Sequence, residues 1–390
     1  MPFSERKSSA RKRSLLFFAL CILLAFFRFS CLPVGALTVS AQSAVLIEAG
    51  GGTVLFAQNA EKPMAMASTT KIMTAVVCIE SGSLDREITI PKEAVGIEGS
   101  SVYLCEGECL TLRQLLYALL LSSANDAATA IALAISGSIA AFSDRMNETA
   151  RRLGLAHTHF DNPHGLDSPT HYTTAKDLAT LSSYAMSLPD FRAIVSTYKE
   201  QIPFCGTENG RLLVNHNRLL RSYPGAVGIK TGFTKKSGRC LVSAAERDGL
   251  LLIAVTLKAP NDWKDHAALL DYGFDNYVSV PLSGGKTEMA LPVISGQSDT
   301  VLCSASGQAK AVLPRSHGVI SCRMEMKRFV YAPVEQGEAV GKILYYCENK
   351  KIGEEIIYTE QSVALKKQHV SLVKRFLSLL FQNKKGFYGK

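Results

Sequence analysis

The last 27 residues of this 390-residue chain contain no acidic side chain, against seven lysines and arginines. The first 36 contain one acid against six basic groups. These two ends carry +7 and +5 of a formal +9, which leaves the body between them near −3. The folded part is therefore not basic, and a nucleic-acid binder, which needs Lys and Arg clustered on the domain itself, is excluded. The N-terminal apolar run, residues 15–27, is too short to cross a bilayer comfortably and is broken at Arg28 and Pro33. No small or branched residues precede Cys31 in a lipid-attachment pattern, and no internal repeat is present. A Gly-x-Ser-x-Gly elbow is also missing, so His164, His216 and His266 are read as structural rather than as members of a Ser-His-Asp triad. Cys105-Glu-Gly-Glu-Cys109 could bridge a turn, but no second ligand pair with zinc spacing stands beside it, so neither a metal nor another cofactor is expected.

With 47% hydrophobic and 20% charged residues, the chain is globular rather than disordered and has room for two domains. Residues 1–36 read as a signal peptide: Arg6, Lys7, Arg11, Lys12 and Arg13, the apolar run, then Val34-Gly35-Ala36. An exported mature chain starting near Leu37 is expected. Eight of the ten cysteines lie beyond that point, which permits disulfides without requiring them. Cys78 and Cys240 read as small core residues.

Two apolar runs around Gly50-Gly51-Gly52 predict a β-hairpin, and Ala67-Ser68 opens a helical stretch to Glu80. One long helix is expected over residues 112–135. Broken helical segments follow over 144–188, then strands at 238–245 and 250–257 and a helix at 262–272. Residues 37–279 thus read as an α+β domain of helices on an antiparallel sheet. Short strand-like runs at 289–294, 311–313, 319–324, 329–332, 339–347 and 354–358 predict a small all-β domain over 285–360.

Beyond residues 1–36, Ser-x-x-Lys occurs at Ser68/Lys71, Ser196/Lys199, Ser283/Lys286 and Ser371/Lys374, and is weak by itself. Only the first is followed in order by Ser123-Ala124-Asn125 and Lys230-Thr231-Gly232, and Ser-x-Asn and Lys-Thr-Gly each occur once. This ordered trio resembles the signature of the penicillin-recognising serine enzymes. More narrowly, the chain is similar to the low-molecular-mass D-Ala-D-Ala carboxypeptidases of the S11 serine peptidase family. The likeness runs through residues 121–127, Asn162-Pro163-His164-Gly165-Leu166, residues 228–234, the β-rich domain and the basic tail.

A serine hydroxyl needs a base within reach, and Ser68 and Lys71 stand one helical turn apart on one face. Lys71 serves as that base only when neutral, which burial and a nearby charge such as Lys230 favour. The resemblance implies that Ser68 is the nucleophile, Lys71 the base and Ser123 a proton relay to the leaving amine. It further implies that Asn125 holds the substrate amide, that Lys230 and Thr231 bind a terminal carboxylate, and that the N–H of Phe233, after Gly232, joins the helix N-terminus in holding the oxyanion. The implied substrates are peptidoglycan stem peptides ending in D-Ala-D-Ala, and β-lactams that acylate the serine. Val227, where many relatives carry an acid, and Arg218, which does not align cleanly with the family's carboxylate-binding arginine, depart from the pattern.

At 100° per residue, Val370, Leu372, Val373, Phe376, Leu377, Leu379, Leu380 and Phe381 fall on one half of a helix and Lys374 and Arg375 on the other. Residues 363–390 are thus expected to lie on an anionic membrane surface, at the outer face of the cytoplasmic membrane. Two rival functions stand beside this one. A β-lactamase needs a deacylating Glu, and Glu148, Glu200 and Glu208 lack its usual surroundings. An inert wall-binding protein would not need Ser68, Lys71, Ser123, Asn125 and Lys230 intact.

Overall fold

The computed structural model describes residues 37–205, 207–283 and 285–367. The signal reading of residues 1–36 and the tail beyond Lys367, with Ser371/Lys374, lie outside the described residues. The chain divides into two compact units. Among the described residues, one comprises those up to Leu46, Phe56–Ser243 and Ala254–Tyr272; the other comprises Ile47–Leu55, Ala244–Ile253 and those from Gly273 to Lys367.

β1 (Ser43–Glu48) and β2 (Val54–Gln58) form the glycine hairpin. β3 (Glu87–Thr89) pairs with β4 (Cys109–Thr111), and β5 (Lys199–Phe204) with β6 (Thr207–Val214). β7 (Ala226–Thr234), β8 (Gly238–Arg247) and β9 (Leu250–Leu257) complete a five-stranded sheet in the order β2-β1-β9-β8-β7, which leaves β7 at an edge.

A 3-10 turn, Ala67–Thr70, leads into α1 (Lys71–Glu80). Ile72, Thr74, Val76, Val77 and Ile79 make α1 a poor helix by intrinsic propensity, so tertiary burial holds it. Lys71 through Cys78 are all buried. Around α1 pack α2 (Leu112–Leu121), α3 (Asn125–Ser136), α4 (Ile139–Arg152), α5 (Ala175–Ser187) and α6 (Pro189–Ser196). Among the described residues the remaining α-helices are α7 (Leu219–Ser222) and α8 (Asp262–Asn276).

The single helix expected over 112–135 is two helices, broken at residues 122–124, where Ser123 takes a left-handed φ of 60°. Apolar residues run through both halves, so hydrophobic pattern alone reads across the break. What imposes it is tertiary: the N–H of Asn125 donates to the carbonyl of Ser100 at 2.7 Å instead of to a preceding helical turn. The β5–β6 hairpin went unpredicted, since Lys199-Glu200-Gln201 supplies no apolar run.

The second unit contains β10 (Tyr277–Pro281), β11 (Thr287–Ile294), β12 (Thr300–Ala305), β13 (Lys310–Pro314), β14 (Ile320–Met326), β15 (Val330–Tyr331), β16 (Ala339–Cys347) and β17 (Lys350–Thr359). Six of these form a sheet in the order β14-β16-β17-β12-β11-β15, and β10 pairs with β13. β12 was not expected, because Val301-Leu302-Cys303 is short and flanked by Ser, Thr and Asp; it nonetheless lies between β11 and β17 and buries Val301 and Cys303. Residues 363–366, counted above with the basic helix, are extended. Val363 bridges to Val334 and is buried in the sheet's core, Leu365 bridges to Gly296, and the N–H of Lys366 donates to the Ser295 carbonyl. Val363 belongs to the alternation of the β-rich core rather than to the helical stripe.

Ile357 is fully buried in that core and its neighbour Tyr358 is 47% exposed on the opposite face of β17. Ile357→Ala is expected to lower unfolding stability by about 2–5 kcal/mol, while Tyr358→Ala stays within about 0.5–1 kcal/mol. Urea titration of the two variants by circular dichroism checks this; equal losses would contradict the register of β17.

Candidate active site

Ser68 sits in the turn before α1, and the preceding Ala67 holds a left-handed φ of 48°, a costly conformation for a residue with a Cβ. Lys71, one turn on, is fully buried. Its Nζ lies 2.9 Å from Ser68 Oγ, 2.6 Å from Asn125 Oδ1 and 2.7 Å from the His164 carbonyl oxygen. The last two atoms can only accept hydrogen bonds, so they take two N–H groups of Lys71. The remaining tetrahedral position faces Ser68: a third N–H if the amine is charged, a lone pair if it is neutral. Burial, and next the charge of Lys230, hold Lys71 well below the ordinary lysine range, against an opposing pull from Asp126. Lys230 is 1% exposed, and burial lowers it to about 7.

Asn125 reaches the site just after the break between α2 and α3, and Ser123 lies, buried, in that break. Asn125 Nδ2 donates to the carbonyl of Glu98, which fixes the amide so that its oxygen faces Lys71. Asp126, fully buried beside it, accepts from Ser101 Oγ at 2.6 Å and from the N–H groups of Val102 and Leu104. One carboxylate thereby shapes the loop that supplies Glu98 and Ser100. Lys230, Thr231, Gly232 and Phe233 lie on edge strand β7. A Cβ added at Gly232 would stand 3.1 Å from the backbone nitrogens of both Ser68 and Thr69, so this strand passes directly against the serine turn. Phe233 is 66% exposed.

The sequence reading missed two supports. Gly165 has φ 88°, and a Cβ there would overlap the Ala67 carbonyl and stand 2.9 Å from Thr70 Oγ1, so only glycine lets the 162–166 loop lie against the turn. His171 is the other. The N–H of Asp161 donates to its Nδ1 at 3.0 Å, so the neutral ring carries its proton on Nε2 and donates to Thr70 Oγ1 at 2.7 Å. Thr70 in turn donates to the Ala67 carbonyl at 2.8 Å. His171 follows no motif of its own, whereas Gly165 lies in a segment the sequence analysis had already marked. His164 contributes its carbonyl rather than its ring, and His266 is buried against Ser243 and Thr256.

The other Ser-x-x-Lys pairs within the described residues are not assembled this way. Ser196 Oγ donates to the carbonyl of Ala193, and Lys286 pairs at the surface with Glu288 and Glu360. Arg218 stacks over Trp263 at 5.9 Å. Glu148 is exposed and Glu200 lies on β5; the Glu208 side chain lies outside the described residues.

Residues 32–261 match the model of a family described as D-alanyl-D-alanine carboxypeptidase (Peptidase S11), and residues 280–365 match that of the penicillin-binding protein 5 C-terminal domain. The chain is 32% identical over 339 residues to D-alanyl-D-alanine carboxypeptidase DacF of Bacillus subtilis, covering 84% of this chain and 85% of the relative. It is 31% identical to DacC of Escherichia coli, covering 85% and 86%. Its structure resembles crystalline penicillin-binding protein 5 from Haemophilus influenzae with TM-score 0.68 and 27% identity, covering 84% of this chain and 98% of that one.

Burial first, with Lys71 and His171 adding to it at His164, lowers the rings of His164, His171 and His266 to about 3, about 4 and about 3. Each binds its proton more weakly folded than unfolded, so their share of stability is present above pH 6.5 and is lost as pH falls toward 4 and 3. Proton NMR should show three imidazoles titrating below about pH 5, with the thermal midpoint dropping over the same range. A midpoint near 6.5 for any of the three would contradict its burial.

Proposed function

The chain belongs to the D-alanyl-D-alanine carboxypeptidase family of S11 serine peptidases, and we propose that it carries out that family's hydrolysis with Ser68 as nucleophile and Lys71 as base. The enzyme is a serine-type D-Ala-D-Ala carboxypeptidase, and covalent β-lactam binding is characteristic of its family. The observation that carries the assignment of roles is the buried amine of Lys71, held by two carbonyl acceptors so that its third position meets Ser68 Oγ at 2.9 Å.

Neutral Lys71 accepts the hydroxyl proton as Ser68 Oγ attacks the carbonyl carbon of the penultimate D-alanine. The developing oxyanion meets the N–H of Ser68 and that of Phe233, which the close pass at Gly232 brings to the same turn. Ser123 hands a proton to the departing D-alanine nitrogen, and the C–N bond breaks to leave an ester on Ser68. Water, activated by the same amine, then releases the shortened stem peptide. Asn125 holds the substrate amide, while Lys230 and Thr231 receive its terminal carboxylate; charged Lys230 suits that anion and keeps Lys71 neutral. In a β-lactam the broken C–N bond lies in a ring, so the leaving amine stays tethered and the ester persists. Residues 1–36 act as the export signal, residues 37–279 and 285–360 as the catalytic and β-rich domains, and the tail as a peripheral anchor on the outer face of the cytoplasmic membrane.

Mass spectrometry after incubation with penicillin should map an adduct to Ser68, and Ser68→Ala should abolish both adduct and D-alanine release. Lys71→Arg should slow acylation by about 10²–10⁴-fold with the fold intact. Lys230→Gln removes a positive charge that disfavours protonation of Lys71, so the acidic limb of the acylation profile should move to higher pH. An adduct on another serine, or a limb that moves down, would overturn these roles.

Because residues 363–366 are part of the β-rich sheet, the anchor is tested by ending the chain after Lys367 rather than before it. That truncation should move the enzyme from the membrane to the soluble fraction with hydrolysis of a soluble peptide unchanged. Retention on the membrane would place the anchor elsewhere.

A further inference from the structure

The loop over residues 98–109 supplies the carbonyls of Glu98 and Ser100 that position Asn125. It is tied to the β5–β6 hairpin by Arg211 of β6. The guanidinium binds both oxygens of Glu108, at 3.1 and 3.2 Å, and also the carbonyl of Tyr103 at 3.2 Å. Both side chains are nearly buried, at 9% and 4% exposure. The same guanidinium lies over the ring of Phe204 at 4.5 Å, and Glu108 accepts from the N–H of Cys105 at 3.0 Å. Cys105 and Cys205, the residue after Phe204, are therefore neighbours at this junction, and burial first, then the nearby Cys205, raises the Cys105 thiol above its ordinary range. Cys109, the nearer partner in sequence, instead contacts Thr89 Oγ1 at 3.7 Å. Both Cys105 and Cys205 are free thiols, Cys205 exposed and Cys105 partly so.

We propose that Cys105 and Cys205 are a redox pair whose disulfide clasps the 98–109 loop to the β5–β6 hairpin beside the active site. A disulfide would bring the two sulfurs to about 2.05 Å across a junction that the Arg211 contacts to Glu108, the Tyr103 carbonyl and Phe204 already hold together. The oxidant is a small or protein disulfide of the kind found outside the cytoplasm, where such bonds persist. The more exposed Cys205, as thiolate, attacks one sulfur of that disulfide and expels the first thiolate. Cys105 then gives up its proton and attacks Cys205 Sγ, expelling the second. Two protein thiols are oxidised by two electrons, the oxidant is reduced to two thiols, and the two released protons go to those thiolates. The bond closes a loop of 100 residues, which restricts the unfolded chain far more than the folded one. It also makes permanent a contact that the Arg211–Glu108 pair alone holds reversibly.

Oxidised glutathione is the probe. Peptide mapping of the purified protein after treatment should find one peptide joined through Cys105 and Cys205, split again by dithiothreitol. The oxidised form should melt roughly 10 °C above the reduced one. Cys205→Ser and Cys105→Ser should each abolish the bridge and the shift, and Cys109→Ser should leave both. A bridge from Cys105 to Cys109, glutathione adducts without any bridge, or a bridge with no rise in melting temperature would overturn the proposal. Because the readouts are mass and melting temperature, the outcome does not depend on the roles assigned to Ser68 and Lys71.

Discussion

The site depends on a lysine kept dry. A fully buried amine is tolerated only if its N–H groups find acceptors and its charge is relieved, and Lys71 meets both demands through atoms from three separate segments. The Asn125 amide comes from the start of α3, the His164 carbonyl from the 162–166 loop, and Ser68 from the turn below. Each of these segments is irregular for the sake of that convergence. Ser123 and Ala67 are left-handed, and the chain around Gly165 passes where no side chain fits. The left-handed backbone at Ala67 and Ser123 is held in place by the packing of α1 amid five other helices.

Backbone geometry is fixed in turn by a small set of buried polar side chains. Asp126 gathers three N–H or O–H donors from residues 101–104, and His171 links Asp161 to Thr70 and so to the carbonyl before Ser68. Their direction matters as much as their presence. Neutral His171 accepts on one nitrogen and donates on the other; a protonated ring would present N–H to the Asp161 N–H and break the chain. Depression of this ring to about 4 keeps that arrangement at neutral pH.

Much of this was legible in order but not in contact. The Ser68, Ser123 and Lys230 motifs announced themselves by sequence spacing, and the α+β class followed from where apolar runs alternate with helical ones. The break at Ser123 was invisible to hydrophobic pattern, because Ala118 to Leu121 and Ala127 to Ile131 are buried on both sides of it. β12 was lost for the opposite reason: Thr300 and Ser304 dilute a strand whose centrality comes only from its neighbours. Val363 misled by being apolar beside a basic tail, when its pairing partner Val334 lies 29 residues earlier. Asp126, inside the marked 121–127 segment, and His171, in no motif, drew no role from the sequence, since their work is to hold backbone, and backbone partners leave no trace in residue type.

On the assigned roles, the two buried lysines also explain why one site binds an anion and loses a proton in a single arrangement. Lys230 rests near 7 because burial opposes its charge. A carboxylate placed beside it supplies the opposite charge that burial denied, so its proton is held more firmly once substrate is bound. That carboxylate also brings its own negative charge into the same low-dielectric space, so Lys230 and the carboxylate together act on Lys71 as a paired, nearly neutral group, and it is the unpaired charge of Lys230 in the open site that lowers Lys71. On these roles the site readies its base before substrate arrives, and the carboxylate of the C-terminal D-alanine is met by a charge already placed for it.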